Sequence, residues 1–171
     1  MKSNKRTGRV VGLLFLIPFV IGIVAYQIIQ GPVLFSKDFL TTIADKETSI
    51  ILSTILLLIS GISSIVAAIL LFPIFKKHNS SLAFLYLAFC LISFVAIAID
   101  NISVLSLLEI SLEVSNNGST DALNTIGTVL YKKHWWTHYM SLFISCFPVF
   151  VLYYTLFTAK LVPKLIAAFG I

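Results

Sequence analysis

Long apolar runs, interrupted only by short charged segments, set the pattern of this chain. Four stretches lack Asp, Glu, Lys and Arg altogether: 10–36, 48–75, 78–99 and 134–159, of 27, 28, 22 and 26 residues. A helix crossing the hydrocarbon of a bilayer needs about 20 such residues. Lipid offers no partner to an exposed backbone N–H or C=O, so a spanning segment of this kind is expected to be helical. The pattern therefore predicts an all-α fold, an integral membrane bundle of four transmembrane helices, with spans near 10–29, 50–75, 81–101 and 138–159.

The polar punctuation refines these spans. Residues 1–9 are basic like the start of a signal peptide. The apolar run after them is too long for one, and no small-x-small cleavage site follows, so a retained helix is expected. Pro73 and the Lys76-Lys77 pair mark the end of the second span. The third meets Asp100 and Asn101, then continues apolar through 102–114, which predicts either one long projecting helix or a break near Asn101. Residues 115–120 (SNNGST) read as a turn. A short helix over 121–131 should follow, with Thr120 as its N-cap, lying along the membrane surface. Trp135, Trp136 and Tyr139 cluster at the start of the fourth span, where aromatic residues favour the lipid–water boundary. Residues 165–171 are apolar but too short to cross, and could only begin a further helix.

Composition agrees with this picture. Apolar residues make up 58% of the chain and charged residues 11%, against about 25% charged in soluble domains. Too few polar side chains exist to cover a water-soluble fold, so lipid is the expected partner. A net charge of +5 would suggest nucleic acid in a soluble protein. Here the basic residues sit singly or in pairs at segment ends, and no nucleic-acid partner is expected. Cys90 and Cys146 both lie in apolar runs and suit packing better than a disulfide framework.

The Lys and Arg residues also orient the bundle. Eight fall on the side of the two termini and the 76–77 loop, and four on the opposite side. The positive-inside rule then places both termini in the cytoplasm. All seven acidic residues fall in the two outer loops.

Polar residues within or beside the spans are the candidate chemistry. Ser60, Ser64 and Ala68 repeat every four residues, with Gly61 beside them, a small face suited to close helix packing. Asp100 shares a helical face with Ser93, Ala96 and Ser103. An ionisable residue in a span is a functional candidate by default. Counting from Ser81, Asp100 lies about 28 Å along its helix, which favours a hydrated position at the outer boundary over a buried one. Ser53, Thr54 and His138 are expected at similar depth, so Asp100 and one or more of them could line a polar pocket open to the outside. His134 and His138, four residues apart on a helix, are weak metal-ligand candidates, with Glu109, Glu113 or Asp100 as a further ligand. Beside two tryptophans they read more readily as an interfacial collar. No catalytic or cofactor-binding motif is present, so no cofactor is expected.

In order and spacing the chain resembles a bacterial multi-pass membrane family known as domain of unknown function 4386. The resemblance rests on 9–17 (RVVGLLFLI), 70–86 (LLFPIFKKHNSSLAFLY), 105–111 (LSLLEIS) and 161–170 (LVPKLIAAFG). It implies an all-helical protein of the bacterial cytoplasmic membrane, and no particular activity. Members usually continue past the last stretch with further helices, so the resemblance implies a shortened form. They also often carry an Arg and a Glu where Cys90 and Ser93 stand here.

Three function classes follow. The shortage of buried polar groups favours a non-enzymatic scaffold, partner subunit or membrane sensor, acting with a membrane-protein partner or as a homo-oligomer. A small transporter or channel built around Asp100 is the alternative. A membrane enzyme with a metal at the outer boundary is the third.

Overall fold

A computed structural model describes residues 2–168, with side-chain environments given from Arg6 onward. Residues 169–171, the end of the apolar tail, lie outside the described part. Among the described residues every regular element is helical. Helix α1 (Lys2–Gly22) passes into a π-helical segment (Ile23–Gln30) and a last short turn, α2 (Gly31–Leu34). A short helix α3 (Phe39–Asp45) leads to α4 (Glu47–Lys76), α5 (Ser80–Asn117) and α6 (Asp121–Thr158), and α7 (Lys164–Ala168) follows.

Four segments are long and apolar enough to cross a membrane: Arg6–Leu34, Glu47–Lys76, Ser80–Asn117 and Asp121–Thr158. The sequence-neighbouring pairs α1 with α4, α4 with α5, and α5 with α6 pack on one another. Short connections between long helices make these neighbours antiparallel. Large apolar side chains such as Phe19, Ile62, Val95 and Phe143 stay exposed around the bundle, on the surface that lipid covers.

One open alternative from the sequence is decided here, and one expectation changes. The third span does not break at Asn101, and α5 runs unbroken for 38 residues. Residues 121–131 are not a separate surface helix but the first turns of the 38-residue α6. At 1.5 Å per residue each is about 57 Å long, well beyond the ~30 Å hydrocarbon, so α5 and α6 project as a hairpin. Once one of two packed helices continues, the other keeps its apolar face covered by continuing beside it. Helix α3 packs against the projecting part of α5.

The helix ends are built by recognisable caps. Thr120 Oγ1 accepts from Leu123 N at 3.2 Å, as the sequence suggested, and Asn79 Oδ1 accepts from Leu82 N at 3.1 Å. Gly118 closes the hairpin with φ +85°, a conformation that a side chain would strain. Pro73 lies inside α4, which ends at Lys76, at the lysine pair marked in the sequence.

Two apolar clusters hold the bundle. One, toward the termini, joins Val11, Ala68, Phe75, Tyr86, Cys90 and Val151. The other, toward the hairpin, joins Leu34, Ile43, Ile50, Val104, Leu107 and Leu108. Ser60, Gly61 and Ala68 are buried and Ser64 half-buried. A Cβ on Gly61 would fall 2.6 Å from the Phe94 ring, so α4 and α5 approach closely here. Between the clusters lies a layer of buried polar side chains.

Candidate functional site: a buried carboxylate between two histidines

Asp100 is at the centre of this polar layer. It is 1% exposed, so the hydrated position favoured by its depth in the sequence is not the one it occupies. The count along α5 gave its distance along the helix. It could not show that α6 continues past that level and covers it.

Three donors from one stretch of α6 converge on the carboxylate. His138 Nδ1 lies 3.0 Å from Oδ2. His134 Nδ1 lies 2.9 Å from Oδ1. Thr137 Oγ1 is 3.0 Å from Oδ1 and also 3.0 Å from the His134 carbonyl. Residues three and four apart on a helix share a face, so His134, Thr137 and His138 meet one acceptor from a single turn. An ionised carboxylate only accepts, so each imidazole facing it presents Nδ1–H. In the neutral ring Nε2 then carries the free lone pair. The His134 contact is close yet not aligned as a hydrogen bond, which leaves its Nδ1–H buried without a well-directed acceptor.

Ser53 and Thr54 lie in the same layer but do not reach Asp100. Gln30 Nε2 donates to Ser53 Oγ at 2.9 Å, and Ser53 donates in turn to the Ile50 carbonyl. Asn101 Nδ2 donates to the Thr54 carbonyl at 3.1 Å. The pocket expected from Asp100, His138, Ser53 and Thr54 is thus two sets of contacts, of which only Asp100–His138 belongs to the first. Gln30, Thr137 and Tyr26 were not singled out in the sequence. Gln30 carried a usable signal, a long amide at the end of an otherwise apolar helix, since such a group must find a partner when buried.

A cavity of about 150 Å³ opens beside the two imidazoles, between α6 and the π-helical segment. Tyr26, Gln27 and Gln30 reach it from that segment, Phe35 from beyond its end, and Tyr131 and Trp135 from α6. The Tyr26 and His138 rings meet edge to face, 4.9 Å apart. π-Helical turns are uncommon and recur at functional sites, because the widened turn re-aims side chains. Trp135 is half-buried at this cavity, whereas Trp136 and Tyr139 are exposed as a boundary collar would be.

Glu109 and Glu113 are exposed, and Glu113 accepts from Asn117 instead. Among the described residues no group of three or more His, Cys, Asp or Glu is arranged to hold a metal ion. His134 and His138 turn their Nδ1 atoms to a shared carboxylate, and neither Glu109 nor Glu113 forms a group of three with them.

Four spanning helices around a polar layer define a multi-pass membrane protein with a polar site in its bundle. The family model described as Domain of unknown function (DUF4386) matches residues 10–171, and the chain belongs to that family. No curated protein and no solved structure matches it.

Proposed function

We infer that this protein is a non-enzymatic membrane receptor that binds a small solute in the cavity beside His134 and His138. The observation behind this reading is the pairing of a fully buried carboxylate with two imidazoles that line an open cavity. Intramembrane ionisable groups are costly and mark functional sites by default. The excess of Lys and Arg at the terminal end directs the hairpin end, and with it the cavity, to the outside of a bacterial cytoplasmic membrane. Toward the termini the buried side of α5 offers Ser93, Cys90, Tyr86 and Ala83, with no further carboxylate or imidazole. That favours a site filled from one face over a relay through the bundle.

A second reading, a small carrier, is favoured by one observation. A larger cavity of about 530 Å³ lies further along the bundle, lined in part by Ser60, Ser64, Ser93 and Ser145.

Cysteine labelling separates these. Gln27 is exposed and lines the smaller cavity. In a Cys90→Ala, Cys146→Ala background, Gln27→Cys should react with a membrane-impermeant thiol reagent added outside sealed vesicles, and not with reagent trapped inside. Reaction from both faces would favour the carrier. Reaction from neither would leave the cluster as a tie between helices.

A further inference from the structure

We propose that the cavity beside His134 and His138 selects a small organic cation carrying N–H donors, a primary alkylammonium of about six heavy atoms. This rests on reading the cavity as a receptor site and adds the class of ligand.

The walls determine the charge. No lysine or arginine lines the cavity. Behind the imidazoles stands the Asp100 carboxylate, shielded from solvent and therefore from screening. With Nδ1–H directed at Asp100, each imidazole in its neutral form offers an Nε2 lone pair, an acceptor. Gln27 adds an amide oxygen at the rim. An anion would meet lone pairs and a buried negative charge. A purely apolar guest would leave the acceptors without donors. An ammonium group satisfies both conditions.

The aromatic lining adds to this. Phe35 and Trp135 meet at 5.7 Å and 69°, and Tyr131 and Trp135 at 6.4 Å and 71°. Trp135 also stacks on Tyr139, at 5.1 Å and 30°, and the face of an aromatic ring attracts cations. Size sets the remaining limit. A cavity of about 150 Å³ matches one that holds benzene in another protein.

The test uses the full-length protein in lipid nanodiscs, with Trp136→Phe so that Trp135 fluorescence reports on the cavity. The probes are n-butylammonium, 1-butanol and butyrate, each corrected for partition into empty nanodiscs. n-Butylammonium should bind at least about tenfold tighter than 1-butanol, and butyrate should not bind. In Asp100→Asn that preference should fall below about threefold. Gln27→Arg, at an exposed position, keeps the fold while placing a positive charge at the rim, and should abolish n-butylammonium binding while sparing 1-butanol. The proposal is overturned if no probe binds, if 1-butanol or butyrate binds as well as the ammonium, or if Gln27→Arg leaves ammonium binding intact. Outside-only labelling of Gln27→Cys together with any of those results would retain the receptor and reject only its ligand class.

Discussion

Replacing Asp100 with leucine removes the acceptor on which three donors of α6 converge. Thr137 keeps its bond to the His134 carbonyl, and His138, with its side chain 25% exposed, can turn to water. His134 has no such exit, because its side chain is only 9% exposed. Its N–H, already without a well-directed acceptor, then also loses the compensating 2.9 Å contact with the buried carboxylate, which costs about 1–3 kcal/mol. Loss of the charge-assisted contact with His138 adds a further increment, reduced by hydration. Together Asp100→Leu should destabilise the protein by about 2–4 kcal/mol. Asp100→Asn keeps the shape. Its carbonyl accepts one imidazole N–H, and its amide can donate to the other ring once that ring changes tautomer. The cost should fall to about 1–2 kcal/mol. Reversible unfolding of each variant in mixed micelles measures both. Equal stability of leucine, asparagine and wild type, within about 0.5 kcal/mol, would refute the view that these contacts tie α5 to α6.

Other consequences follow from close contacts and caps. Gly61→Ala should cost about 1–3 kcal/mol, because the new methyl meets the Phe94 ring between two packed helices. Gly127→Ala should cost less, since its neighbour at 2.8 Å is the flexible end of Leu40. Melting temperatures in one detergent rank the two, and the opposite order would contradict this packing. Gln30→Leu strands the Ser53 hydroxyl only partly, as Ser53 still donates to Ile50. It should cost about 1 kcal/mol, and the Gln30→Leu, Ser53→Ala double variant should lose less than the two singles combined. Thr120→Ala should lower stability by about 1 kcal/mol through the lost cap, and Thr120→Ser should restore most of it.

The bundle was legible because lipid makes a blunt demand. A charge-free run long enough to cross must be helical, so four runs gave four long helices. Their outer limits were not legible. Residues 102–117 and 121–133 carry both apolar and charged groups, and only their mutual packing shows that α5 and α6 continue as one hairpin. At the site, the pairing of Asp100 with His138 could be anticipated, because antiparallel helices bring the outer ends of the third and fourth spans to one level. The helical face could not. Ser53 and Thr54 are at the right depth but take Gln30 and Asn101 as partners, since rotation of α4 about its axis leaves no mark in composition. The π-helical segment was invisible for a related reason: Ile23–Gln30 has an ordinary apolar pattern, and widening is set by what the chain must fit against.

That widened segment also fixes an angular relation. In an α-helix each residue advances the chain by about 100° around the axis. A turn closed by one residue more offsets everything before it from everything after it. Val11, in the cluster toward the termini, and Gln30, bonded to Ser53, both face inward from the first span because this offset brings them into phase. Rewinding the stretch as regular α-helix with every residue kept would turn one end outward by roughly a third of a circle. Either Val11 would leave its cluster or Gln30 would leave Ser53, with Tyr26 carried away from the cavity. The first span thus behaves as a clock hand set at two points, and the winding between them matters more than the identity of the apolar side chains along it.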